Sequence, residues 1–98
     1  MSDGYNGWTN YETWNVALWW GENGMSGYWI GEAEEMLEAD DSDDVAMQLA
    51  DRMKSETINE MPEVTGMYAD LLKAALDEVN WREIAEHYVA DAEFERAA

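Results

Sequence analysis

The stretch Val64-Thr65-Gly66-Met67-Tyr68-Ala69-Asp70-Leu71-Leu72-Lys73-Ala74-Ala75-Leu76-Asp77-Glu78-Val79 decides the fold class. Val64, Met67, Tyr68, Leu71, Leu72, Ala75, Leu76 and Val79 recur at three- and four-residue spacing, the repeat of one helical face. A strand would alternate apolar and polar residues, and nothing here does. The spacing predicts an amphipathic helix, the fourth of the chain, with this stripe inward. Asn80-Trp81-Arg82-Glu83 follows at once and fits a loose capping box, with Asn in place of Ser or Thr. A fifth helix therefore starts there, with Trp81, Ile84, Ala85, Tyr88 and Val89 inward. So short a connection predicts that helices four and five pack as neighbours.

Working back toward the N-terminus, Val45, Leu49 and Met53 recur at four-residue spacing, with Ala46 and Ala50 beside them. They predict a third helix that reaches Ile58 and ends at Asn59–Pro62. Asp41 or Ser42 is its expected cap. A second helix is expected from a Ser26 cap to Ala39, with Trp29, Ala33, Met36 and Leu37 as its buried stripe. The first helix is expected from Asn10 to Trp20. Thr9-Asn10-Tyr11-Glu12 reads as its capping box, with Trp8 stapled onto Thr13 or Trp14. Tyr11, Trp14 and Leu18 share a face, and Gly21 is the expected stop. The reading is all-α: a bundle of four to five short helices around a Trp-rich core, in one domain over residues 1–98.

Composition bounds the chemistry. The chain has 98 residues, enough for one modest core, and no cysteine, which excludes disulfides and thiol chemistry. The first residues carry no basic and apolar leader, and the longest apolar run, Val16–Trp20, is far too short to span a membrane. A cytoplasmic protein of the host cell is expected, with no membrane partner. There are 23 Asp and Glu against 5 Lys and Arg, a formal net charge of −18. Disordered chains can be as acidic, but they are poor in aromatics. This one holds six Trp and five Tyr and is 47% hydrophobic, so it is expected to fold with its acids outward. Such a field repels nucleic acid directly and attracts basic surfaces.

No catalytic constellation emerges, and an enzyme is not expected. The one histidine, His87, sits beside Glu83 and Asp91, off the apolar stripe, and reads as a surface residue. Asp40-Asp41-Ser42-Asp43-Asp44 invites a calcium-loop reading. Counted from Asp40, however, the sixth position is Val45 instead of Gly and the twelfth is Asp51 instead of Glu. No metal and no cofactor are expected. Gly21-Glu22-Asn23-Gly24 lacks the lysine of a phosphate loop.

Two surfaces remain as binding candidates. On a helix, side chains three or four apart lie about 5–6 Å from each other. Glu32 with Glu35, and Glu34 with Glu38, form such pairs, and Asp40, Asp41, Asp43 and Asp44 extend the row. DNA carries a phosphate about every 3.4 Å along each strand, so a row of fixed carboxylates imitates a phosphate track. The expected target is the basic groove of a nucleic-acid-binding protein. The rival account is that the acids serve only solubility or salt adaptation. The second surface is aromatic. Trp14, Trp19 and Trp20 cannot all face one helical stripe, so Trp19 or Trp20, with Tyr5 or Tyr28, is a candidate interface anchor. A homodimer would bury the same surplus.

The segment Asn6-Gly7-Trp8-Thr9-Asn10-Tyr11-Glu12-Thr13-Trp14-Asn15-Val16-Ala17-Leu18-Trp19 resembles the N-terminal signature of a family of small proteins of unknown function. Ala69-Asp70-Leu71-Leu72-Lys73-Ala74-Ala75-Leu76-Asp77-Glu78-Val79-Asn80-Trp81-Arg82-Glu83-Ile84-Ala85-Glu86 resembles its second block. The resemblance implies a setting in phages, plasmids and archaeal mobile elements. Small acidic proteins of that setting are often inhibitors of host restriction or CRISPR systems. The expected function is therefore inhibition of a host defence nucleoprotein complex by DNA mimicry. The alternative is a structural or adaptor protein that docks through exposed Trp and Tyr. The two blocks coincide with the two expected capping boxes, which makes those regions structural. The acid row lies between them.

Overall fold

The central element of the bundle is the last helix, because its apolar residues fall at the spacing that lines one face without interruption. In the computed structural model, which describes residues 5–39 and 44–97, the elements are α1 Tyr11–Asn23, α2 Met25–Ala39, α3 Val45–Asn59, α4 Gly66–Glu78 and α5 Trp81–Ala97. Trp81, Ile84, Ala85, Tyr88 and Ala92 of α5 are all buried. They meet Trp29 and Ala33 of α2 and Leu49, Ala50 and Met53 of α3 in one cluster, which Val79 closes at the α4–α5 junction. Ala33, Ala50, Ala85 and Ala92 lie where α2, α3 and α5 pack together, and their small side chains let the helix backbones approach. Trp29, Leu49, Met53 and Ile84 fill the space between. Each such side chain taken out of water stabilises the fold by roughly 1.5–3 kcal/mol. The all-α reading is correct, and the stripes expected for α2, α3 and α5 are the ones buried. Met36, Leu37 and Val89 are half-buried at the cluster's margin.

The caps differ from expectation in detail. α1 is capped by Asn10 and not Thr9: Asn10 holds an extended backbone, and its Oδ1 accepts the Thr13 N–H at 2.9 Å and the Thr13 hydroxyl at 2.6 Å. This turns α1 so that Thr13 is its one buried residue, with Val16 and Trp20 packing on the core, while Tyr11 and Leu18 stand exposed. Gly21 does not stop the helix. The stop is Gly24, whose φ of 87° is the left-handed geometry that glycine adopts at least cost. Asn23 Oδ1 then accepts the Met25 N–H at 3.0 Å, so α2 begins one residue before Ser26. Asp44 caps α3, accepting the Met47 N–H at 3.2 Å. The expected caps Asp41 and Ser42 lie outside the described residues.

The largest departure is α4. It packs along α1, not beside α5, and none of its residues is buried. The turn at Val79–Asn80 sends α5 into the core and leaves α4 on the rim of the bundle. Trp8 also departs from the expected staple and lies against the ring of His87 on α5, with centroids 4.4 Å apart.

Candidate functional site

The acid row begins on α2. Glu32 is ion-paired with Arg52 of α3, and Tyr28, one turn earlier on α2, donates its hydroxyl to Glu56 at 3.5 Å. Tyr28, Glu32, Arg52 and Glu56 thus form a polar seam between α2 and α3. Loss of hydration raises the Tyr28 hydroxyl above its ordinary pKa, and the charges of Glu32 and Glu56 add to the rise. At the other end, Asp44 accepts from Arg82 of α5 at 3.0 Å, and Arg82 also holds Glu86 one turn on. The hydrogen bond from Arg82 depresses the Asp44 carboxyl below its usual range, and the capping bond from Met47 helps. Of the five row residues among the described ones, Glu32 and Asp44 therefore have their charge answered within the fold.

The middle of the row differs. Glu34, Glu35 and Glu38 form no ion pair among the described residues, and Glu34 stands against Glu95 near the end of α5. A hydrogen bond between those two carboxyls, with repulsion from Glu95 and Glu38, lifts Glu34 above its ordinary pKa. The like charges are offset only in part by Arg96. Glu95 was not legible as part of this group, because its proximity to Glu34 is created by the packing of α5 on α2. Asp40, Asp41 and Asp43 lie outside the described residues. Among the described residues, no three His, Asp or Glu side chains gather closely enough to hold a metal ion.

The aromatic candidates divide. Trp20 is half-buried, with its ring centroid 5.5 Å from Trp29, 6.1 Å from Trp81 and 6.5 Å from Tyr88, and belongs to the core. Trp19 is 60% exposed, and Tyr28 is exposed beyond its polar seam. Tyr88, deep in this aromatic nest, has its hydroxyl pKa pushed to about 12 by burial and by Asp91.

An apolar surface absent from the expected site lies on α4. Met67, Tyr68 and Leu71, all expected in the core, are 65%, 68% and 61% exposed. The reason is angular. At about 100° per residue, the apolar residues of α4 spread over half of its circumference. Leu72 and Leu76 turn inward and are half-buried, which leaves Met67, Tyr68 and Leu71 beyond the reach of α1. The stripe's width was the available signal, since one neighbouring helix covers less than that.

Three grooves flank α4. One of about 180 Å³ runs between α1 and α4, from Tyr11 and Val16 to Leu72 and Val79. A larger one of about 260 Å³ reaches from Leu72 and Leu76 to Trp20, Met25, Trp29 and Pro62. A third, about 170 Å³, joins Ile58 and Met61 to Leu76 and Asp77.

These features define a small all-α bundle with a strongly acidic surface and an unpartnered apolar helix face. The chain matches the Family of unknown function (DUF7249) over residues 1–96 and belongs to it. No curated protein and no solved structure shows significant similarity. No helix among the described residues is long and apolar enough to cross a membrane.

Proposed function

We propose that this protein is a non-catalytic binding protein that occupies the basic nucleic-acid-binding groove of a partner, acting as a DNA mimic. In the mobile-element setting implied by the family resemblance, the partner is a host defence complex of the CRISPR or restriction type. The observation that carries the reading is the unanswered charge at Glu34, Glu35, Glu38 and Glu95. Glu34 is crowded by Glu95 and Glu38 in the free protein: its pKa is raised by the hydrogen bond with Glu95, by loss of hydration and by repulsion from both, and a basic groove would relieve that repulsion. Glu32 and Asp44 contribute less, because Arg52 and Arg82 already neutralise them. The test is capture of a partner at low salt by the tagged protein and by the Glu34→Lys/Glu35→Lys/Glu38→Lys variant, followed by release with salt or DNA. The expected result is a basic nucleic-acid-binding complex that the wild type retains, the variant loses and DNA displaces. A partner held equally by both proteins through high salt overturns the reading.

A second reading, docking through exposed aromatic and apolar residues, is favoured by Trp19 and the open face of α4. Salt separates the two, since charge-driven association weakens steeply with ionic strength and apolar docking does not.

A further inference from the structure

We infer that the open face of α4, with Trp19 beside it, is a docking surface for a basic amphipathic helix of a partner protein. The inference rests on the second reading above and adds the place and the partner's chemistry. α1, α2, α3 and α5 each pack against at least two other helices, whereas α4 lies along α1 at the rim. Its apolar stripe is nevertheless as wide as one flanked on both sides, and Met67, Tyr68 and Leu71 carry the uncovered half. Trp19 extends the surface onto α1. The Asn10 side chain reaches the Glu78 carbonyl at 2.7 Å, and Trp20 shares a groove with Leu72, so α1 and α4 run antiparallel. Trp19 lies one turn past Asn15 and Val16, which line the α1–α4 groove, and so reaches the level of Tyr68 and Leu72.

The charge around this surface selects the partner. Glu12, Glu56, Glu60 and Asp77 line the flanking grooves, and Lys73 is the single cation among the lining residues. An apolar strip with acid-lined grooves on the neighbouring face of α4, on a chain of net charge −18, fits a helix that presents leucine-like residues at three- and four-residue spacing with lysine or arginine on its flanks. A second copy of this chain fits poorly, because it brings a further −18 charge.

The probe is a synthetic leucine–lysine peptide of roughly 18 residues with its leucines at helical spacing. Its control has the same composition with the leucines scattered. Binding is read by calorimetry and by tryptophan fluorescence, and the protein's mass in solution by light scattering. The Tyr68→Ser/Leu71→Ser variant keeps the charge and changes only exposed side chains, and circular dichroism verifies its fold. The helical peptide is expected to bind one to one, at least about tenfold tighter than the control. The variant should lose that margin while its weak binding of the control is unchanged. Two outcomes overturn the inference in different ways. Equal binding of both peptides, unaffected by the variant, shows that charge alone binds and removes the apolar reading as well. A dimer of the free protein that the variant converts to monomer keeps that reading and replaces the helical partner with a second copy.

Discussion

Thr13 of α1 and Asn80 at the α4–α5 turn are joined by a hydrogen bond that ties the beginning of the bundle to its last turn. The Asn80 backbone N–H donates to the Thr13 hydroxyl at 2.8 Å, and that hydroxyl donates to Asn10 Oδ1. Around it, Asn10 donates to the Glu78 carbonyl, and the Thr9 N–H donates to the Glu83 carboxylate at 3.1 Å. Glu83 was expected to fold back onto the Asn80 N–H. It serves the other helix start instead, and Thr13 takes its place at Asn80. Each helix start thus borrows a group from the other.

Thr13→Val keeps the shape of this side chain and removes its hydroxyl. The Asn80 N–H then loses its acceptor in a poorly hydrated place, a loss of about 1–3 kcal/mol. In a chain of this size each kcal/mol lowers Tm by roughly 4–8 °C. Thr13→Ser retains the hydroxyl and should retain most of the stability. Urea denaturation of the two variants separates them, and equal destabilisation by both would leave packing, not the hydrogen bond, as the role of Thr13.

Leu71 and Ile84 look equivalent in the sequence, each at the centre of an apolar stripe. The fold makes them opposites. Ile84 has no exposed surface, and Ile84→Ala should cost about 2–5 kcal/mol through the cavity it leaves. Leu71→Ala changes an exposed side chain and should stay within about 0.5 kcal/mol of wild type. Chemical denaturation of both variants tests the rim position of α4. A large loss from Leu71→Ala would place its stripe in the core.

That contrast marks how far the sequence can be read. Periodicity identified five helices and most of the buried residues of α2, α3 and α5, with Ala92 missed and Met36, Leu37 and Val89 only half-buried, because local spacing alone determines which residues share a face. It could not rank the stripes. Which stripe is covered depends on the direction α5 takes after Val79, a property of the whole chain. The acid row was legible on the same terms: the pairs along α2 follow from spacing. The neutralising partners Arg52 and Arg82 come from other helices, and so does the opposing Glu95. For α1, the competition between Thr9 and Asn10 for the cap was settled by Asn80 and Glu83, some seventy residues away in the chain.

The pH dependence should carry three signatures, two of one sense at Glu34 and Tyr88 and one of the opposite sense at Asp44. Glu34 has its folded pKa raised, so the native state binds the proton more strongly. The stability this contributes is present below the ordinary value of 4.5 and is lost as pH rises through the raised value. Glu34→Gln should therefore stabilise the protein at about neutral pH, and the gain should vanish in acid. Asp44 has its folded pKa lowered. Its contribution is present above 3.8 and is lost as pH falls through the lower folded value, and Asp44→Asn should remove it. Tyr88 supplies the alkaline limit. Its folded pKa of about 12 against an ordinary 10.0 means stability falls as pH rises through that interval. Thermal unfolding across pH, with phenolate absorbance followed at the alkaline end, reads all three.

Ionic strength should act on the free protein before any partner is added. A net charge of −18 on 98 residues makes the compact state repel itself, and Arg52 and Arg82 offset this only locally. Salt screens charges separated by more than about 10 Å at 0.1 M, so it relieves the general repulsion more than these short ion pairs. Tm should therefore rise as salt increases from about 0.01 to 0.15 M. The Glu34→Gln/Glu38→Gln variant, which thins the like-charge group facing Glu95, should start from a higher Tm and gain less from salt. If salt leaves the wild-type Tm unchanged or lowers it, the ion pairs outweigh the repulsion. The free protein would then hold no excess charge strain for a basic partner to relieve, and the electrostatic account of its function would lose its physical basis.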